Sequence, residues 1–328
     1  WYVQSKLSGA RQVLKVLTNT YEKPIKTPVQ HLRPAEETCK QCHWPGKYFG
    51  TLDLNRTYFL TEGEDPRWQI RMLLNVGAGE NQSAGVHAHM NLDQEVYYAA
   101  EDDRKQKITW TKTVDKAGKE TLYVTPGSKW KDSAPPPEKI RKMDCIDCHN
   151  RPTHQFQAPY RFLNDAMRGG QIDPSIPKIK EKLMELVSGE YQDTPEAVAA
   201  IEKGIRDFYQ NKHPDLYASE RAKIEQAIKT TVQLYKKNLF PEMKTRWDTH
   251  PDNIGHLVAP GCFRCHDGQH VSPAGRAIPR DCKSCHLIVE QGPSGALEKN
   301  LEGLEFKHPD GGEEWKEMDC TDCHSGGA

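Results

Sequence analysis

All ten cysteines of this chain fall into one short pattern, repeated five times, and that repeat constrains the fold more than any other feature. Cys39, Cys42 and His43 make the first copy, CKQCH. Cys145, Cys148 and His149 make CIDCH, and Cys262, Cys265 and His266 make CFRCH. Cys282, Cys285 and His286 make CKSCH, and Cys320, Cys323 and His324 make CTDCH. C-x-x-C-H is the haem c attachment signature. Two thiols form thioethers with the two vinyl groups of one porphyrin, and the next imidazole lies under the iron as proximal ligand. A zinc site would pair its CxxC units into sets of four cysteines, and five units do not pair evenly. A redox CxxC would occur once and needs no His. With 14 His in 328 residues, five chance placements after CxxC have a probability of roughly 10⁻⁷. The expected cofactor is therefore heme c, five copies, covalently held.

Thioether attachment takes place on the outer side of the energy-transducing membrane. The expected location is extracytoplasmic: periplasmic, membrane-associated or extracellular. No run of about 18 apolar residues exists to span a membrane. The chain opens on Trp1 rather than Met and shows no signal peptide, so an upstream signal peptide or anchoring helix is expected to have been cleaved or left out. Charge is balanced, 45 Lys+Arg against 46 Asp+Glu, which argues against a nucleic-acid partner. Haem propionates would make the holoprotein acidic. An apolar content of 36% is low, as it would be where porphyrin replaces Leu, Ile and Phe in the interior. Seven Trp and twelve Tyr speak against wholesale disorder.

The expected fold is a mostly α and irregular multihaem cytochrome c, with a small β-hairpin region and a helical insert, in which haems form much of the core. Four divisions follow: 1–140, an N-terminal haem region with the hairpin; 141–160, the second site; 161–245, the helical insert; and 246–328, a C-terminal cluster of three haems. Residues 108–114 alternate and are β-branched, 115–118 make a turn and 121–124 return, which predicts a hairpin. Ala134-Pro135-Pro136-Pro137 reads as a stiff linker. Within the insert, 179–187 has helical spacing. Thr194-Pro195-Glu196 reads as an N-cap with Pro at the first helical position. Val198, Ile201, Ile205 and Phe208 form the apolar stripe of that helix. A third helix is predicted over 218–237.

Nine His remain after the proximal five, and a bis-His relay needs five distal ligands. The candidates are His87, His89, His154, His256, His270 and His308. His89 is favoured in the Gly85-Val86-His87-Ala88-His89 pair, with His87 as the alternative or a second ligand. His250 and His31 are weaker, and His213 reads as a surface residue. The seven Met are not needed by the count. Four extended residues reach at most about 14 Å, too little for the chain after His266 to round a porphyrin edge. His270 should therefore ligate a neighbouring haem, and His154 should not serve the haem of His149.

The stretches LRPA through CKQCHWP, GVHAHM, MDCIDCHNRPTH and GHLVAPGCFRCHDGQH resemble multihaem cytochromes of the NapC/NirT type, over about residues 21–286. The resemblance implies an inner-membrane conduit passing quinol electrons to periplasmic acceptors. Its members usually carry membrane-spanning helices before the first site, and the quinol dehydrogenases have a Met soon after it, where this chain reads CHWP. What carries over is electron transfer on the periplasmic side, with quinol dehydrogenase as a minor reading.

The sequence thus points to an extracytoplasmic electron-transfer relay rather than an enzyme. Two alternatives stand: a multihaem reductase with one open haem, and a subunit of a haem-stacked filament or respiratory complex. Every motif ends in His and spare His are plentiful, which favours the relay. Expected partners are redox proteins or a membrane quinol-oxidising complex, with self-assembly as a further option.

Overall fold

The computed structural model describes residues 2–25, 35–43, 50–61, 67–77, 85–89, 94–150, 155–324 and 326. Helix α1 (Tyr2–Leu17) opens the chain, and α2 (Ala35–Cys39) runs into the first motif. Two antiparallel sheets follow. The first contains β1 (Gly50–Phe59) and β2 (Arg67–Gly77) and is completed by β7 (His286–Pro293) and β8 (Glu298–Leu304), in the order β1-β2-β7-β8. The second contains β3 (Gln94–Ala100), β4 (Ile108–Asp115), β5 (Glu120–Val124) and β6 (Arg141–Lys142), in the order β5-β4-β3-β6.

The hairpin over 108–124 is formed by β4 and β5, with Trp110 opposite Val124. Its turn is built by Asp115, whose Oδ1 accepts from the Ala117 and Lys119 amides, both at 2.9 Å. Gly118 takes the left-handed φ of +79° that the turn requires. The β content exceeds the single hairpin expected, because β3, β6 and the whole first sheet are added to it. The reason is distance along the chain: β2 finds its second neighbour in β7, with Leu73 opposite Leu287. That pairing also joins two of the expected divisions, since β7 and β8 of 246–328 complete a sheet begun within 1–140.

Helices α4 (Pro159–Arg168), α5 (Ile179–Val187), α6 (Thr194–Lys212) and α7 (Pro214–Asn238) hold most of the buried apolar side chains. On α6 the buried stripe is Ala197, Ile201, Ile205 and Tyr209, one residue every turn. Val198 and Phe208, expected on that stripe, flank it half-buried. The N-cap is Asp193 rather than Thr194: its side chain accepts from the Glu196 amide at 2.8 Å, which places Pro195 in the first turn. α7 begins at Pro214, earlier than expected, because His213 ends α6 and caps α7 at once. His213 is half-buried against Phe208 and Tyr209 at this junction, not a free surface residue. Elsewhere the second buried cluster is small: Ala99, Trp110 and Trp130. Among the described residues, no helix is long and apolar enough to cross a membrane.

Candidate haem-binding sites

Each attachment motif is a single tight turn. CIDCH and CTDCH start on short helices, α3 (Cys145–Cys148) and α8 (Cys320–Cys323), both closed by the same capping box. The Asp144 amide donates to Asp147 at 2.7 Å, and the Asp319 amide to Asp322 at 2.9 Å. The shared MDCxDCH spelling of these two sites is the sequence signal for that box. CFRCH and CKSCH are 3-10 turns, Gly261–Arg264 and Cys282–Ser284. The amides of His43, His149, His266 and His324 donate back to the first cysteine of their motifs at 2.7, 2.8, 3.0 and 2.8 Å. This bond closes the turn that carries both cysteines and the His. All ten cysteines are outside any disulfide, as thioether formation requires.

The distal candidates are brought to the proximal imidazoles from elsewhere in the chain. His256 faces His286, with ring centroids 6.3 Å apart and planes 18° apart. His89 faces His266 at 5.9 Å and 83°, and His308 faces His324 at 5.8 Å and 40°. Two imidazoles that share one iron, each bound at about 2 Å, have ring centroids about 6 Å apart. All three spacings fit an iron between the rings. His87 approaches His149: its basicity is held low first by burial, then by the neighbouring His149. His89 is thus the member of the pair that faces His266, while His149 is the nearest charge on His87.

The second ring nitrogens are set for ligation. His89 Nδ1 lies 3.2 Å from the Val86 carbonyl, His266 Nδ1 3.2 Å from the Pro279 carbonyl, and His308 Nδ1 2.5 Å from Asp310. A proton held there leaves Nε2 free as a lone pair. Burial, before any charge, lowers the basicity of His89, His266, His286 and His324, and pushes His256 down to about 4. Neutral imidazoles are what a metal needs. His270 is fully buried. Its Nδ1 is 2.9 and 3.0 Å from the two Asp267 oxygens, and its Nε2 has no hydrogen-bond partner. A ligand-competent nitrogen is thus left over there. His154 and His31 lie outside the described residues. His250 lines a polar cleft with Arg104, Asp147 and Arg264. Beside Cys282 and His286 opens a cavity of about 240 Å³ lined by Leu287, Ile288, Leu304, Phe306 and Trp315, a wall suited to a porphyrin face.

The sites are tied together in chain order. The Ala35 amide, entering site 1, donates to Asp144 of site 2 at 3.1 Å. Sites 2 and 3 are joined by Arg264, donating to the Asp147 carbonyl at 2.8 Å, and by Asn253, which donates to that carbonyl at 3.1 Å. Site 3 meets the approach to site 4 at His266 and Pro279. Arg280, just before site 4, pairs with Asp319 at 3.0 Å and donates to the Met318 carbonyl at 2.9 Å, just before site 5. The sulfurs follow the same path. Cys145 is pushed up to about 12 by burial, then by charges that include Cys39. Cys285 is pushed up to about 11 by burial, then by Cys262.

Asp147 anchors site 2 with its side chain as well. It is 3% exposed, accepts from Tyr98 Oη at 2.7 Å and from Arg141 Nε at 2.8 Å, and lies 3.7 Å from Lys105. Asp147, Arg264 and Asn253 were not among the residues singled out from sequence. Their partners come from distant segments, and only the Asp of the capping box leaves a local signal.

The chain is 38% identical to the cytochrome c-type protein ImcH of Geobacter sulfurreducens over 334 aligned positions, which cover 100% of this chain and 65% of that relative. The chain therefore spans about two-thirds of the relative's length. No family model matches the chain. No solved structure matches it. The likeness supports a multihaem c-type cytochrome with covalently bound haem c.

Proposed function

We propose that this chain holds five covalent haems and relays electrons outside the cytoplasm, without substrate chemistry of its own. The observation that carries this reading is the set of facing imidazoles, His89–His266, His256–His286 and His308–His324, at 5.8–6.3 Å. Haem c, when bound, would supply reversible one-electron transfer, and His89 with His266, His256 with His286 and His308 with His324 would hold it from two sides and leave no room for substrate. The residues do the rest. Facing imidazoles would clamp the third, fourth and fifth sites, and Asp144, Asp147, Arg264 and Arg280 link neighbouring sites.

The path of the relay would follow the linked sites in chain order, between Cys39 and Cys320. The sparse apolar clusters outside the helical insert support haems as much of the core there. The resemblance to the NapC/NirT type and the likeness to a c-type cytochrome support a periplasm-facing respiratory role. Partners would then be redox proteins or a membrane quinol-oxidising complex. Haems ligated by two His and near negative propionates should have low reduction potentials.

Intact mass of the denatured holoprotein should equal the chain plus five haem masses. Electron paramagnetic resonance of the oxidised protein should show only low-spin ferric signals, and the reduced protein should not bind carbon monoxide. A stoichiometric high-spin signal with one haem per chain taking carbon monoxide would replace the relay by a reductase with an open site.

A further inference from the structure

We propose that His256 belongs to two sites at once, filling the distal position of the fourth and hydrogen-bonding the Cys320 sulfur of the fifth, so that these two sites form a coupled pair. The pairing presupposes the relay reading above. The ring of His256 faces His286, with centroids 6.3 Å apart. Its Nδ1 lies 3.6 Å from Cys320 Sγ, a residue 64 positions further along the chain. Thioether formation replaces the hydrogen of that sulfur with carbon, which leaves the sulfur an acceptor only. The contact then survives in one tautomer, with the proton on Nδ1 donated to sulfur. That tautomer leaves the Nε2 lone pair for a metal. A single proton position thus satisfies both sites.

A circuit of contacts holds His256 in this place. Its imidazole stacks on Phe263, from inside the third motif, at 4.2 Å and 18°. The guanidinium of Arg280, just before the fourth motif, lies 5.0 Å from the Phe263 ring. Arg280 also pairs with Asp319 at 3.0 Å, one residue before Cys320. The path from His256 through Phe263, Arg280 and Asp319 to Cys320 is closed by the contact between Nδ1 and sulfur. The loop that carries His256 is pinned as well. The Asn253 side chain donates to the Asp147 carbonyl at 3.1 Å, and the Gly255 carbonyl accepts from the Cys262 amide at 3.3 Å. A sulfur that accepts from Nδ1–H makes the imidazole a stronger donor through Nε2, and losing that acceptor weakens it. A change at Cys320 is therefore felt at the ligand of the fourth site. Electron exchange between the two sites oxidises one iron as it reduces the other, while His256 keeps its Nδ1 proton and no bond breaks.

The test is electron paramagnetic resonance of the oxidised holoprotein, joined to a spectroelectrochemical titration. Signals are assigned by variants that each remove one distal candidate: His89→Ala for the third site, His256→Ala for the fourth and His308→Ala for the fifth. Cys320→Ala removes the acceptor and leaves its motif attached through Cys323. The expected result is a shift in the g values of the fourth site's signal and a rise in that site's midpoint potential. Cys323→Ala, which cuts the other thioether of the same motif, should move the fifth site's signal only. Phe263→Leu keeps every Cys and His, and should shift the fourth site's signal more than that of the third, whose motif contains it. Should Cys320→Ala lose the haem of its motif, Phe263→Leu decides alone. An unmoved fourth-site signal in Cys320→Ala, an equal shift there in both cysteine variants, or a Phe263→Leu shift confined to the third site overturns the proposal. A fourth-site shift in Cys320→Ala, in a protein whose parent takes carbon monoxide at another site, would support the pairing and count against the relay reading alone.

Discussion

The imidazole of His256 lies 6.3 Å from that of His286 with the two planes 18° apart, and it stacks on Phe263 at 4.2 Å. Under the proposed relay a residue just before the third motif would then serve the fourth, held against a side chain from inside the third. His256→Ala should convert one haem per chain to a high-spin, carbon-monoxide-binding form and leave the others low-spin. Electron paramagnetic resonance and carbon monoxide difference spectra read this directly. An unchanged spectrum would mean that another residue ligates the fourth iron.

His89 faces His266, and His87 carries the charge influence of His149. His87→Ala and His89→Ala should each open one iron, and the double variant two. Carbon monoxide stoichiometry measures the sum. A double variant that binds no more than either single one would put both side chains at the same site.

Gly261 has a φ of +52°, and a Cβ placed there would stand 1.6 Å from the Gly255 carbonyl oxygen. That carbonyl neighbours His256 and accepts from the Cys262 amide at 3.3 Å. Gly261→Ala should lower stability by about 2–4 kcal/mol and move His256. Thermal unfolding of the holoprotein should show the loss, with a high-spin fraction appearing at the fourth site.

Asp147 is buried among Tyr98, Arg141 and Lys105. Asp147→Asn keeps its shape but leaves two half-buried cations without their carboxylate. The expected cost is about 2–4 kcal/mol, seen as a lower Tm, with low yield of protein carrying a haem at Cys145 and Cys148. A variant with unchanged Tm would show that Arg141 and Lys105 can reach water.

Lys180 donates to the Phe59 carbonyl, and burial lowers its pKa from 10.5 to about 8. A base whose folded pKa is depressed binds fewer protons folded than unfolded between the two values, so stability should rise with pH from about 8 to 10.5. Below pH 8 the cost is fully present. Lys180→Met should therefore raise Tm at pH 7, by an amount worth about 1–3 kcal/mol, and flatten the rise above pH 8. A variant less stable at pH 7 would mean that the bond to Phe59 outweighs the burial of charge.

The attachment sites were legible because their chemistry is local: two sulfurs and an imidazole within one turn need fixed spacing. The hairpin of β4 and β5 was legible for the same reason. The pairing of β2 with β7 was not, since Trp68–Leu74 reads as a generally apolar run and its partner lies beyond the helical insert. Distal candidates could be picked out as spare imidazoles but not matched to motifs. A spare His announces itself, yet nothing near His256 in the sequence says that it comes to lie opposite His286. The N-cap of α6 shifted by one residue because Asp193 and Thr194 are both good caps, and the side-chain bond to Glu196 decides between them.

In all three facing pairs the distal candidate precedes the His of the attachment motif: His89 before His266, His256 before His286, His308 before His324. A polypeptide delivered N-terminus first through an export channel has each of these ligands outside before the motif it will face arrives. Every such iron can be capped as soon as it is attached, so no half-finished intermediate need expose a vacant ferrous centre to oxygen or peroxide. The order of residues along the chain is then also a schedule for assembling it safely.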